Sequence, residues 1–274
     1  MLQRRYPIHP SAWIGGTIVA LYLLIALLAP WLAPSDPYQI QMGNKLSLPS
    51  WQYPLGTDHL GRCVLSRLIY GSRTSLAYSL SILAAVFAIS IPVGALAGYA
   101  GGRVDQAIMR LIDILLAFPS LILPLAITAM LGPSMQNLLL SFAAVWWAGY
   151  ARVIRGLVLQ IKARDYVLAA QASGTTHLQI VLRHILRNAA RPILVLASME
   201  FGTILLAVAG FSFLGLGAQP PMPEWGVMLN DSRPYIQTEP RLLLYPGLAI
   251  LAAVIGFNLL GEGLQARRQE IRSF

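Results

Sequence analysis

Leu76–Ala100 reads LAYSLSILAAVFAISIPVGALAGYA, twenty-five residues without one charged side chain. About 20 apolar residues, each rising 1.5 Å, cross the roughly 30 Å hydrocarbon core of a bilayer as a helix. Working outward from this run, five further stretches have the same character: residues 11–33, 108–131, 137–159, 192–214 and 242–261. The expected fold is all-α, a polytopic membrane protein of about six transmembrane helices forming a single domain over residues 1–274.

Composition agrees. Of 274 residues, 56% are hydrophobic and 11% charged, where a soluble domain carries about a quarter. The net charge of +9 does not point to nucleic acid. A binder of that kind needs a basic stripe on a wet face, whereas here the basic residues punctuate apolar spans. Cys63 is the only cysteine, so no intrachain disulfide is expected. Arg4 and Arg5 ahead of an apolar run resemble a signal peptide. Residues 11–33, however, outlast the 7–15 residues of a typical signal core, so a retained span is expected.

Six spans put both termini on one side. Arg4, Arg5, Arg103, Arg110, Arg152, Arg155, Lys162, Arg164, Arg183, Arg187, Arg191, Arg267, Arg268 and Arg272 then share that side. Lys45, Arg62, Arg67, Arg73, Arg233 and Arg241 lie opposite. Fourteen against six makes the first side cytoplasmic by the positive-inside rule. Of the connections, 33–73 and 215–241 are expected outside. In the first, Val64, Leu65, Leu68 and Ile69 share a helical face opposite Arg62, Ser66 and Arg67, which suggests a short helix lying in the interface. There is no internal repeat of the sort many carriers show.

The internal loop 161–191 is the most informative connection. Asp165 is placed to cap a helix rich in alanine (Ala169, Ala170, Ala172), and Gly174 suits a C′ stop. Thr176 and Gln179 have capping-box spacing. Leu178, Val181, Leu182 and Ile185 follow at i, i+3, i+4 and i+7. The expectation is a helix–turn–helix hairpin whose second stripe packs on the membrane body. Small residues at Ala169, Ala170 and Gly174 permit close approach by another backbone. From the residues alone, connector and docking site stand equally.

This stretch resembles the cytoplasmic EAA loop of binding-protein-dependent ABC importer permeases, with Ala169, Ala170, Gly174, Ile185 and Leu186 on the motif positions. Leu168 replaces its acidic residue and Arg187 the frequent proline. Leu55-Gly-Thr-Asp-His-Leu-Gly-Arg62, Ser66-Arg67, Gly71-Ser-Arg-Thr-Ser-Leu76, Gly102-Arg-Val-Asp105, Phe118-Pro119 and Phe213-Leu-Gly-Leu-Gly217 resemble the dipeptide, oligopeptide and nickel permeases. Cys63 stands where those relatives usually have aspartate. Glu224-Trp-Gly-Val-Met-Leu-Asn-Asp231, Tyr235-Ile236 and Tyr245-Pro-Gly247 look most like the nickel type. The resemblance implies a pore-forming subunit in the bacterial inner membrane, driven by ATPase closure. It implies a second permease chain, two cytoplasmic ATP-binding subunits and an extracytoplasmic solute-binding protein as partners. The loop residues Asp165, Tyr166, Ala169, Ala170, Gly174, His184, Ile185 and Leu186 become the expected ATPase-docking set. Dipeptide or oligopeptide import is the alternative cargo.

ATP and Mg are expected on those partner subunits, with no cofactor in this chain. The only lysines, Lys45 and Lys162, do not follow a glycine, so no P-loop exists. His9, His59, His177 and His184 are scattered, and no spacing suggests a metal cage or paired acid–base groups. Glu200 interrupts the fifth span, where a carboxylate costs about 2.5–3.5 kcal/mol and marks a functional candidate. It either lines the path and attracts a cation or bonds to hydroxyls and orients helices. Asp113 and Glu262 are expected to pair with Arg110 and Arg267. Pro92, Pro119 and Pro124 are expected to bend spans, and Trp146, Trp147 and Tyr150 to serve as packing or interface anchors. A self-sufficient secondary carrier is the rival from another class; it leaves the internal hairpin without a role.

Overall fold

The computed structural model describes residues 10–272, with side chains through residue 265. Arg4, Arg5 and His9, and the side chains of Arg267, Arg268 and Arg272, lie outside the described residues. The helices in chain order are α1 Pro10–Leu27, α2 Ala29–Leu32, α3 Val64–Ala100, α4 Gly102–Leu116, α5 Ile122–Leu131 and α6 Met135–Val145. They continue with α7 Trp147–Lys162, α8 Asp165–Ala172, α9 His177–Gln179, α10 Arg187–Phe213, α11 Trp225–Ser232 and α12 Arg241–Arg272. A π-helical segment, Ile180–Leu186, joins α9 to α10. Five stretches are long and apolar enough to cross a membrane: Pro10–Leu27, Val64–Ala100, Met135–Lys162, His177–Phe213 and Arg241–Gln265.

The third expected span is not one helix. It divides into α4 and α5 around Phe118-Pro119. Proline has no N–H to give and pushes the residue before it out of the helical region. Alone, the ten residues of α5 reach only about 15 Å. The freed carbonyls find partners, Pro119 accepting from the Ile122 N–H at 3.0 Å and Ser120 from Trp146 Nε1 at 2.9 Å.

A second difference concerns residues 62–69. They form no separate interfacial helix: Val64 begins the 37-residue α3, which continues unbroken to Ala100. The face expected to be wet is the buried one. Arg62, Ser66 and Arg67 are at most 1% exposed, because two carboxylates from other segments neutralise the arginines there.

By contact the chain divides into two compact units. The first comprises the described parts of 1–80, 132–138 and 198–274. In it α1 lies directly on α12 through small residues. A Cβ on Gly15 would sit 2.3 Å from the Leu260 nitrogen, and one on Gly263 would meet Ala12. Such close backbone approach is how membrane helices gain dispersion contact without a hydrophobic driving force. Tyr22 Oη donates to the Ala249 carbonyl at 2.9 Å.

The second unit comprises 81–131 and 139–197. Gly94 and Gly98 of α3 let it press on α7 at Ala151, Ile154 and Val158, and Ile112 of α4 joins Ala148 and Ala151 in the core. Two ion pairs also fasten α4 to α7. Asp113 pairs with Arg152, not with Arg110 as its position along the chain suggests, and Asp105 pairs with Arg155. The Arg155 guanidinium holds the Asp105 carboxyl below its ordinary pKa.

Candidate functional site

The hairpin between α7 and α10 forms as its sequence requires, with three changes of detail. Arg164, in extended backbone, is the residue ahead of α8; Asp165 is the first helical residue and makes no capping bond. It still places a negative charge in the first turn, where the helix dipole favours one. The turn itself is a Schellman motif. Gly174 adopts φ +77°, its N–H bonds to the Gln171 carbonyl at 3.0 Å, and the Thr175 N–H bonds to Ala170 at 3.1 Å. Thr176 stands at the N-cap of α9 without a side-chain bond, so the capping box has its position but not its contacts.

The third change is the stripe. Ile180, Ile185 and Ala189 are fully buried, while Leu178 and Leu182 are 67% and 53% exposed. A segment bonded i→i+5 is wound more widely than an α-helix, which brings residues five apart toward one face. Ile180 and Ile185 therefore share the inner face, and the i, i+4 pair expected of an ordinary helix turns outward. Val181, Leu182 and Leu186 instead border an open apolar groove of about 370 Å³ with Pro92, Ala95, Leu96, Tyr99, His177 and Leu178.

Of the expected docking set, Asp165, Tyr166, Ala169 and Gly174 are exposed. Ala170, His184 and Leu186 are half-buried, and Ile185 is buried. The exposed members form the α8 face and the turn. Val167, fully buried, and Ile185 anchor it from behind. Glu200 is half-buried on α10, in the other unit.

A polar core in that first unit went unread in the sequence. Asp58 Oδ1 accepts from the N–H groups of Leu60 and Arg62, both at 2.9 Å. Its Oδ2 accepts from Arg62 Nε at 2.7 Å. Arg62 also donates to Asp231 Oδ2 at 3.2 Å. Arg67 lies 3.6 Å from Asp58 and 3.7 Å from Asp231, and it donates to the Pro37 and Pro221 carbonyls at 3.5 and 3.3 Å. Two guanidiniums and two carboxylates thus tie the 37–62 segment, the start of α3, Pro221 and α11 together. Along the chain the spacing offers Asp58 to Arg62 four residues later, but nothing in it brings Asp231 to the same arginines.

Glu224 caps α11. Its two oxygens accept from Val227 N–H at 2.9 Å and Ser75 Oγ at 3.0 Å. The neighbouring Trp225 lies against Gly71, where a Cβ would come within 2.7 Å of the indole, and donates Nε1 to the Leu68 carbonyl at 3.1 Å. Glu224 is 0% exposed, and burial raises its pKa although the bonds from Gly226, Val227, Ser75 and Ser212 oppose the shift. A folded-state pKa above the unfolded one means the folded protein holds the extra proton. Stability from this group is full below the ordinary value of 4.5 and declines as pH rises toward the raised one. Thermal midpoints of the purified chain should therefore fall as pH rises above 4.5, and Glu224→Gln should flatten that slope. An unchanged slope in the variant would assign the dependence to another group.

No three His, Cys, Asp or Glu side chains converge on a possible metal position among the described residues. Cys63 is buried and free, and His59 stacks on Tyr235 at 5.8 Å.

Comparison with known proteins gives these arrangements their context. Residues 90–268 match the family described as binding-protein-dependent transport system inner membrane component. Residues 4–49 match the N-terminal TM domain of oligopeptide transport permease C. The nickel transport system permease protein NikC of Escherichia coli is 43% identical over 255 residues, 93% of this chain and 92% of its own. The dipeptide transport system permease protein DppC of Alkalihalophilus pseudofirmus is 42% identical over 93% of this chain and 84% of its own. The metal-staphylopine import system permease protein CntC of Staphylococcus aureus is 41% identical over 93% and 88%. These are transport permeases rather than enzymes, and they work with an ATPase and a solute-binding protein. With a family match over most of its length and full-length relatives above 40% identity, the chain belongs to the binding-protein-dependent inner-membrane components, as an ABC importer permease of the nickel/dipeptide family.

Proposed function

We propose that the chain imports nickel, carried as a small chelate, by coupling ATPase closure to alternating access. The observation that carries the coupling half is the hairpin: an exposed α8 face and Gly174 turn, held from behind by buried Val167 and Ile185. Asp165, Tyr166, Ala169, Ala170 and Gly174 are the contact surface on a cytoplasmic ATP-binding subunit. His184, Ile185 and Leu186 set its angle. The whole of 1–274 acts as one transmembrane domain beside a second permease chain. Two ATP-binding subunits hold the ATP and Mg, and a solute-binding protein delivers cargo from outside. Both termini are cytoplasmic.

Nickel is favoured by the 43% identity to a nickel permease along 92% of that protein, joined by a relative for metal-staphylopine import. A chelate suits a chain whose described residues gather no bare-ion cage. The dipeptide relative at 42% supports the second reading. Proteoliposomes holding the assembled transporter and its binding protein decide between them. Radioactive nickel should accumulate with histidine as chelator, and unlabelled dipeptide should not compete. Accumulation of labelled dipeptide, with no nickel uptake, would favour the second reading.

Glu200 is proposed to line the path. Glu200→Gln should lower uptake about tenfold while the ATPase subunits still co-purify. Uptake at the wild-type rate would reduce Glu200 to a residue that orients helices.

A further inference from the structure

Three helix ends converge on Tyr99, in the last turn of α3. The helix that enters the hairpin, α7, finishes at Lys162, whose Nζ donates to the Tyr99 carbonyl at 2.7 Å and stands 5.1 Å over the Tyr99 ring. The helix that leaves it, α9, starts at His177, whose Nδ1 lies 2.6 Å from Tyr99 Oη, with the two rings edge to face at 5.7 Å. Both legs of the hairpin are therefore tied to one residue, at its carbonyl and its hydroxyl, and that residue belongs to neither leg.

Next to this node the packing is open. An open apolar groove of about 370 Å³ separates Pro92, Ala95 and Leu96 of α3 from Leu178, Val181, Leu182 and Leu186. The segment on its far side is the π-helix Ile180–Leu186, a form found mostly as single turns and often at functional positions. A push on the hairpin has two routes into the membrane body. One runs along the π-helix into α10, and an open groove lies between that segment and α3. The other runs through His177, three residues past the Gly174 turn, into Tyr99 and so into α3. The second reaches α3 through a hydrogen bond, and Lys162 braces it from the opposite leg.

We propose that Tyr99 is the positioning residue through which movement of the docking hairpin reaches α3, with His177 and Lys162 as its two ties. This rests on the reading of the hairpin as the ATPase contact. Losing the ties does not stop ATP hydrolysis, which happens in other subunits. Part of each hydrolytic stroke then goes into movement of the hairpin relative to α3 across the groove, so less cargo moves per ATP. The node is a coupling element and takes no part in binding cargo or the ATPase.

The test is the ratio of cargo accumulated to ATP hydrolysed in proteoliposomes of the assembled transporter, using nickel–histidine or a dipeptide, whichever the wild type accumulates. Tyr99→Phe keeps the ring, the carbonyl and the cation–π contact and deletes only the hydroxyl. It should lower the ratio about fivefold, the scale of one lost hydrogen bond, with ATPase co-purification and binding-protein-stimulated hydrolysis retained. His177→Leu should do the same, and the double variant should be no worse than either single, since both remove one interaction. His177→Gln, whose amide oxygen accepts from the tyrosine hydroxyl, should recover part of the ratio. A wild-type ratio in Tyr99→Phe, additive losses in the double variant, or loss of the ATPase from Tyr99→Phe would each overturn the proposal. Failure of the docking reading registers separately, as retention of the ATPase by a chain whose α8 face is blocked.

Discussion

Asp58→Ala will destabilise the first unit by about 3–5 kcal/mol, the scale for breaking a buried ion pair on one side. Asp58 accepts three hydrogen bonds, two from the backbone turn it closes and one from Arg62 Nε, and it also faces Arg67 at 3.6 Å. Its removal leaves two guanidiniums, each 1% exposed, to a single carboxylate, Asp231. A buried charge without a partner does not recover its hydration, so the loss exceeds the worth of the bonds themselves. Asp58→Asn keeps the acceptor geometry at one oxygen and removes only charge, so it should fall between wild type and alanine. Arg67→Met combined with Asp58→Asn restores neutrality and should recover part of the loss. Unfolding of the detergent-solubilised chain reads all three. A midpoint in Asp58→Ala indistinguishable from wild type would show that water reaches the arginines and that the four-charge cluster is not a dry core.

Ala169→Trp should abolish coupled uptake, by at least tenfold, while leaving insertion and folding intact. Ala169 is exposed on α8, so an indole there meets solvent in the isolated chain, and α8 loses well under 1 kcal/mol of helix propensity. Against a partner the same indole stands where a small side chain is needed for close backbone approach. Shortening the hairpin across Ala169–Gly174 should have the same functional result through loss of the Schellman turn. Co-purification of the ATPase subunits from membranes is the direct measurement. A tryptophan variant that keeps its ATPase and transports normally would remove α8 from the interface and leave the hairpin as a connector.

How much of this was readable in one dimension varies by element. Residues 76–100 and 242–261 declared themselves because a membrane span is a local property: enough consecutive apolar side chains, each judged without knowing its neighbours in space. The hairpin was readable for a related reason. Gly174 and the alanines of α8 act through backbone conformation and propensity, which are set within a few residues. The same locality explains the errors. Asp113 was assigned to Arg110 because only a partner on the same helix is visible along the chain, whereas packing of α4 on α7 brings Arg152 to it. Residues 108–131 were read as one span because hydropathy averages across Phe118-Pro119, while the missing N–H of a single proline divides the helix.

Hydropathy and turn chemistry alone therefore established an all-helical membrane chain with an internal hairpin and no nucleotide-binding loop of its own. Three-dimensional packing decided which face of each helix is buried and which charges meet. Arg62 and Arg67 look like a wet face because charge is expensive to bury, and that expense falls when Asp58, just before them, is joined by Asp231 from far along the chain. Tyr99, unremarkable at the end of an apolar run, gains its meeting with Lys162 and His177 only when three helix ends come together. Asp58 and Arg62 share a window of five residues, but the second carboxylate, Asp231, and the meeting of Tyr99 with Lys162 and His177 join residues that no short window holds together.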